Sequence, residues 1–161
     1  MAGAAYQPGA SHTMQRDPYN LDRFLEAQAS NYEDALAELN AGSKQSHWSW
    51  YVFPQVRGLG SSPTSVRYAI GSRAEASAYL AHPILGLRLR ECVNAMLGQR
   101  GMSAAQILGD IDAQKFRSCL TLFMQVAPNE GVFSDALKKY FDGVLDAKTI
   151  SILGCEPAGR R

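Results

Sequence analysis

Residues 46–62 read SHWSWYVFPQVRGLGSS, and the way this run folds decides what kind of protein the chain makes. It contains both tryptophans, Trp48 and Trp50, and continues through Tyr51 and Phe53. Trp, Tyr, Val and Phe all favour strands on propensity. No second strand-like run stands nearby to pair with it, however, and a lone strand is not stable. The spacing is therefore read as a short buried helix over 46–53. Pro54 stops it, because the ring clashes with the preceding turn and the residue has no amide donor. Gly58 and Gly60 allow backbone conformations that other residues resist. Ser62-Pro63 then has the form of a helix start, a serine N-cap followed by proline at the first helical position.

Outward from this run the pattern is helical in both directions. On the N-terminal side Leu21, Phe24, Leu25, Tyr32, Ala35, Leu36 and Leu39 recur at three- and four-residue steps, after Asn20 as a cap. Asn31 is expected to divide this segment into two helices, and Gly42 to close it. On the C-terminal side Ser72 and Glu75 have the spacing of a capping box. That helix carries Ala76, Tyr79 and Leu80 and ends before His82-Pro83. Leu85, Leu89, Cys92, Val93, Met96 and Leu97 form the clearest apolar stripe, closed by Gly98 and Gly101. Ser103 caps a short helix through Leu108. Phe116, Cys119, Leu120, Phe123, Met124 and Ala127 make another stripe, stopped by Pro128. Asn129 is expected to cap a helix with Val132, Phe133, Ala136, Leu137, Tyr140 and Phe141 inward, and Asp146 a last one to Leu153. The expectation is an all-α fold: a single compact domain over 17–153, an irregular bundle of eight or nine short-to-medium helices. A flexible arm over 1–16 and a flexible tail over 154–161 flank it.

The totals fit one such domain. The chain has 161 residues, and a chain of that size buries about 70% of the surface its unfolded form exposes. Its 16 basic and 15 acidic residues leave a net charge of +1, which gives no electrostatic footprint for nucleic acid or for an anionic membrane. No apolar run approaches the roughly 20 residues of a membrane span. The three cysteines, Cys92, Cys119 and Cys155, are odd in number and widely spaced, so no disulfide framework is expected and a reducing cytoplasm is the default. No His or Cys pair has metal-ligand spacing. No phosphate-binding loop of the Walker type and no dinucleotide fingerprint is present, so no cofactor is expected.

The candidate chemistry gathers in the central run. Arg57-Gly58-Leu59-Gly60 leads into a helix start, where free amides and the positive dipole end suit a phosphate or carboxylate, and Arg57 adds a two-pronged donor. The competing reading is an ordinary capped turn. Trp48, Trp50, Tyr51 and Phe53 suit a flat ligand or the core; helical spacing puts them on different faces, so most belong to the core, with one tryptophan open to a cleft. His47 is a general acid or base in type, with Asp110, Asp112 and Glu33 as remote carboxylates, or else a structural hydrogen-bonding group. His82 reads as a turn residue. Lys115 and Arg117 stand near the start of an apolar helix, facing either solvent or a shared ligand. Cys92 and Cys119 read as small buried hydrophobes.

Five words of the sequence resemble one bacterial family. They are Asp17–Phe24 (DPYNLDRF), Ser46–Gln55 (SHWSWYVFPQ), Arg57–Gly60 (RGLG), Tyr79–Gly86 (YLAHPILG) with Arg88-Leu89, and Lys115–Ser118 (KFRS) with Thr121–Phe123 (TLF). Together they are similar to the family catalogued as domain of unknown function 1810, over about residues 17–153. The resemblance implies a compact, all-helical, intracellular protein without an agreed activity; some members carry the label calpastatin. The shared words contain His47, Gln55, Arg57, His82, Arg88 and Lys115. Ser49 stands where many relatives would have a larger apolar residue, which would loosen packing locally. The candidate ligand-binding residues are thus His47, Trp48, Trp50, Gln55, Arg57, Gly58, Gly60, His82, Arg88, Lys115 and Arg117. The expected ligand is a small anion, phosphate-bearing or nucleotide-like, with His47 and Arg57 facing one cleft. A non-catalytic helical interaction module is the alternative.

Overall fold

A computed structural model describes residues 16–155. The expected arm over 1–16 and tail over 154–161 fall almost wholly outside them. The described residues form ten α-helices: α1 (Asp22–Gln28), α2 (Tyr32–Ala41), α3 (Ser49–Val52), α4 (Pro63–Arg67), α5 (Arg73–Ala81), α6 (Leu85–Leu97), α7 (Ala104–Leu108), α8 (Asp110–Val126), α9 (Gly131–Phe141) and α10 (Ala147–Gly154). The all-α expectation holds, with slightly more helices than the pattern suggested. Each of the ten falls on a segment the pattern marked as helical, and Gly109, at φ +89, separates α7 from α8 but lets the second begin at once, before Phe116. No described helix is long and apolar enough to cross a membrane.

The stripes read from sequence are the faces that pack. Along α8, Phe116, Cys119, Leu120 and Phe123 are completely buried. So are Leu85, Cys92, Val93 and Met96 of α6. These two helices are bridged by α5 and α9, each of which packs against both. Helix α2 covers the far side of α6, while α3, α7 and α10 pack on α8. The central run folds as a helix, but of a single turn, with Val52 N–H donating to Trp48 O at 3.1 Å and Phe53 N–H to Ser49 O at 2.9 Å. What holds so short a helix is burial of its neighbours. Trp48 and Phe53 meet edge to face at 5.9 Å, and Phe53 lies 4.7 Å from Phe116 of α8. Aromatic burial of this kind outweighs the strand propensity of the residues.

Several caps differ from the sequence expectation. Asn31 and Gly42 act as read, Gly42 at φ +74. At α1, however, it is Asp17 whose carboxylate accepts from Leu21 N (2.7 Å) and Asp22 N (3.0 Å), while Asn20 takes a left-handed φ of +53. At α5, Ser72 accepts from Glu75 N (3.1 Å), but Glu75 does not complete the box. Its buried carboxylate accepts instead from Gly71 N (2.9 Å) and Arg23 Nη2 (2.7 Å), because a charged partner and a second amide together satisfy it better than one amide. At α9 the N-cap position is Glu130 rather than Asn129, and Glu130 is ion-paired to Arg90 of α6. Helix α10 begins at its Asp146 cap as read and continues through Gly154.

Candidate functional site

The backbone after α3 is fixed by a short parallel bridge between Val56 and Ile70. Ile70 N–H donates to Gln55 O at 2.9 Å, and Arg57 N–H donates to Ile70 O at 2.8 Å. Gly58 then turns at φ +102. Gly60 comes so close to α4 that a Cβ there would lie 2.7 Å from Ser65 Cβ. Ser62 Oγ accepts from Ser65 N at 3.1 Å, so the amide at the start of α4 is already used. The bridge and turn aim Gln55, Leu59 and Gly60 at the first two turns of α8.

A hollow of about 810 Å³ lies there. The Gln55–Gly60 loop forms one wall, α8 from Asp110 to Ser118 the floor, and the α9–α10 connection, 144–148, the other wall. That last wall is anchored by polar groups of α8. Arg117 donates from Nε to Val144 O (2.9 Å) and from Nη2 to Leu145 O (3.2 Å). Gln114 Nε2 donates to Asp146 Oδ1 at 3.0 Å. Asp146 N–H donates to Thr121 Oγ1 at 2.9 Å, and Asp146 Oδ2 accepts from Thr149 N (3.0 Å) and Thr149 Oγ1 (2.5 Å). These bonds satisfy the backbone and the buried carboxylate of that wall and fix it against α8.

A second hollow, about 300 Å³, adjoins the first. His47, Trp50 and the edge of Trp48 line one side, and Ile111, Asp112 and Lys115 the other. Ile111 and Lys115 line both hollows. Lys115 Nζ stands 3.7 Å from Asp112 Oδ1 and 5.6 Å from the Trp50 ring centre. The buried Lys44 ammonium stands 2.8 Å from the other oxygen of Asp112. One carboxylate thus serves two ammonium groups. Across the joined hollows Lys44, Lys115, Arg117 and Lys148 face Asp110, Asp112 and Asp146, an excess of one positive charge.

The loop that carries His47 and Trp48 is tied to α2 by one carboxylate. Glu38 accepts from Gln45 N (2.8 Å), Ser46 N (3.1 Å), Ser46 Oγ (2.6 Å) and Trp48 Nε1 (2.9 Å). Burial by itself would raise its pKa, but the bonds from Ser46, Gln45 and Trp48 outweigh that and bring it down to about 2.

Of the eleven sequence candidates, His47, Trp48, Trp50, Gln55, Gly60, Lys115 and Arg117 line these adjoining hollows. Trp48 is completely buried, so Trp50 is the tryptophan open to the cleft. Lys115 and Arg117 stand in the second turn of α8 rather than at its start. Arg57 does not face this groove: the bridge to Ile70 turns its side chain to the opposite side of the loop, so His47 and Arg57 do not share a cleft. Gly58 packs beneath the loop, where a Cβ would lie 3.3 Å from Ile152. His82 sits at the α5–α6 corner, its Nδ1 accepting from Ile84 N (3.1 Å) and Leu85 N (3.2 Å). Burial lowers its pKa, against the pull of Asp17 and Asp22. Arg88 donates to buried Gln28 Oε1 at 3.3 Å and stacks 4.7 Å from the Tyr32 ring centre, in a separate hollow. Cys92 and Cys119 are buried, and burial pushes the Cys92 thiol up to about 12, far from a reactive thiolate.

Sequence reasoning missed Lys44, Ile111, Gln114 and the 144–148 wall. Asp146 carried a signal as a helix cap; the others are polar or apolar positions of ordinary type, and only folding brings them to the groove. Among the described residues no group of three His, Cys, Asp or Glu side chains is placed to hold a metal ion.

One comparison decides the relationship: the model of the family described as protein of unknown function DUF1810 matches residues 18–153. The chain belongs to the DUF1810 family. Among solved structures the chain is similar to the crystal structure of the conserved hypothetical protein Rv1873 from Mycobacterium tuberculosis. It is 45% identical, with a TM-score of 0.85, and the match covers 87% of this chain and 100% of that one. No curated protein matches. Ser49, the position read as small for the family, is buried, and its Oγ has no hydrogen-bond partner among the described residues.

Proposed function

We propose that this DUF1810 protein binds a small molecule with an anionic group, phosphate-bearing or nucleotide-like, across the two adjoining hollows. The observation that carries the reading is that Lys115 lines both hollows, between the Trp50 ring and the Gln55–Gly60 loop. The excess positive charge favours an anion, and a lysine over a half-buried ring favours a flat group beside it. The larger hollow has the size of an ordinary small-molecule site. The three unpaired cysteines support a working place in the reducing cytoplasm.

A thermal-shift screen against nucleotides, ADP-ribose, sugar phosphates and inorganic phosphate tests this, run on wild type and Lys115→Ala. A ligand at 100 times its dissociation constant stabilises by about 2.7 kcal/mol, a shift of several degrees. Stabilisation lost in the variant supports the reading. Silence across the panel, or equal stabilisation of a folded variant, removes it.

A helical interaction module remains the second reading, favoured by Ile111 at 74% exposure and Val144 at 53% on the rim of the groove. Sedimentation over a range of concentrations separates it: self-association abolished by Ile111→Ser supports it, and a monomer throughout counts against it.

A further inference from the structure

The far side of the Gln55–Gly60 loop carries a different arrangement. Arg57 projects there into a hollow of about 380 Å³ between the start of α1 and the end of α4. Arg23 and Arg67 line the same hollow, with Glu75 as its carboxylate. The roles of the three arginines differ. Arg23 is committed: Nε donates to Arg67 O, Nη1 to Tyr19 O and Asn20 O, and Nη2 to Ala69 O and Glu75 Oε2. Glu75 is committed too, one oxygen to Arg23 and the other to Gly71 N. Arg57 and Arg67 are not. Among the described residues neither has a carboxylate at ion-pair distance; Arg67 rests on the Tyr68 ring at 5.5 Å, with Nε donating to Tyr68 Oη at 3.2 Å.

The position of Arg57 is defined by the fold. Its amide is tied to Ile70 O, and its guanidinium lies over Gly71, where a Cβ would come within 3.2 Å of Nη2. That same Cβ would lie 3.2 Å from Glu75 Oε1, so a residue without a side chain stands where the guanidinium passes the carboxylate. Three guanidinium groups therefore face one already neutralised carboxylate, an excess of two positive charges in a hollow whose edges are backbone carbonyls and polar side chains. We infer that the Arg57–Arg67 hollow is a second anion site, built for the doubly charged phosphate of a small polar phosphomonoester. The planar forks of Arg57 and Arg67 match the geometry of phosphate oxygens better than ammonium groups would. The hollow is larger than a bare phosphate, and its polar edges fit a hydroxylated body rather than a flat apolar one.

Titration calorimetry on the full chain at low salt, with inorganic phosphate and with glycerol phosphate, tests the assignment. Arg57→Ala and Arg67→Ala each weaken binding by about tenfold or more, as expected for a lost charge-assisted contact. Lys138→Ala, at an exposed lysine of α9 that lines neither hollow, leaves it unchanged, which ties the loss to Arg57 and Arg67 rather than to net charge. Glycerol phosphate binding more tightly than inorganic phosphate assigns the monoester, and equal binding assigns free phosphate and overturns the monoester part. Both arginines are exposed, so their variants are expected to fold. The arginine Nε–H resonances of the wild-type protein, followed by NMR during the titration, give a readout that needs no variant. The inference is overturned by no binding of either probe, by binding that survives both substitutions, or by arginine resonances that stay still.

Discussion

Replacing Glu38 by glutamine is expected to loosen the loop that carries His47 and Trp48, and to do so in a pH-dependent way. The carboxylate accepts four hydrogen bonds from residues 45–48. Its pKa falls from an ordinary 4.5 to about 2, which sets an upper bound of roughly 3.4 kcal/mol on what the charged form contributes. Water reaches part of the group and screens it, so about 2 kcal/mol is the expected loss in Glu38→Gln at neutral pH. A group whose pKa is lowered on folding contributes fully above its unfolded value, and the contribution fades as pH falls through the folded one. The stability gap between wild type and variant is therefore constant from pH 7 down to about 5, narrows between 4.5 and 2, and closes below that. Urea unfolding at a series of pH values measures the gap, with tryptophan fluorescence as a local probe, since Trp48 Nε1 loses its charged acceptor. A gap of the same size at pH 7 and pH 2.5 would refute the reasoning, because the loss would then come from side-chain shape and not from charge. No loss at any pH would show that the loop is held by packing of Trp48 alone.

Three further outcomes follow from the same geometry. Ser49→Ala removes a buried hydroxyl that has no partner among the described residues and should stabilise the protein by about 1 kcal/mol, raising Tm by roughly 2–4 °C; a lower Tm would mean that the hydroxyl has a partner in solution. Gly86→Ala places a Cβ 2.0 Å from the backbone oxygen of Leu80, which cannot move aside as a side chain could, and should cost about 3 kcal/mol or more in denaturant unfolding, whereas a near-neutral result would show that the α5–α6 corner can open. His82→Ala removes the acceptor for two amides at the start of α6 and should cost about 1 kcal/mol at pH 8, by analogy with other caps. Because the His82 pKa is lowered on folding, that cost shrinks as pH falls below 6.5, and a cost that grows on acidification would contradict the assigned role.

What the sequence determined by itself is what neighbours along the chain decide. The apolar stripes of α6 and α8, the split at Asn31, the left-handed stop at Gly42 and the serine caps before Pro63 and Ala104 are local events, set by periodicity and by backbone preference within one or two turns. The central run could be read as helical by excluding a partner strand, and it gave the cleft one tryptophan, though not which one. Tertiary structure decided the rest, for a physical reason in each case. Trp48 went to the core because Phe53 and Phe116 close over it, leaving Trp50 to the cleft. Glu75 left the amide of its expected capping box for Gly71 N and for Arg23, fifty-two residues away in sequence, because a charged partner and an amide together outweigh one amide. The groove needs α8, the loop after α3 and the α9–α10 connection in one place. Arg57 and Gly60, three residues apart, ended on opposite sides of a loop because Ile70, thirteen residues beyond Arg57, fixes the backbone at 55–57 and Gly58 turns after it. Composition and spacing can nominate such residues, but the side of the loop on which each one lies is set by a contact that sequence distance hides.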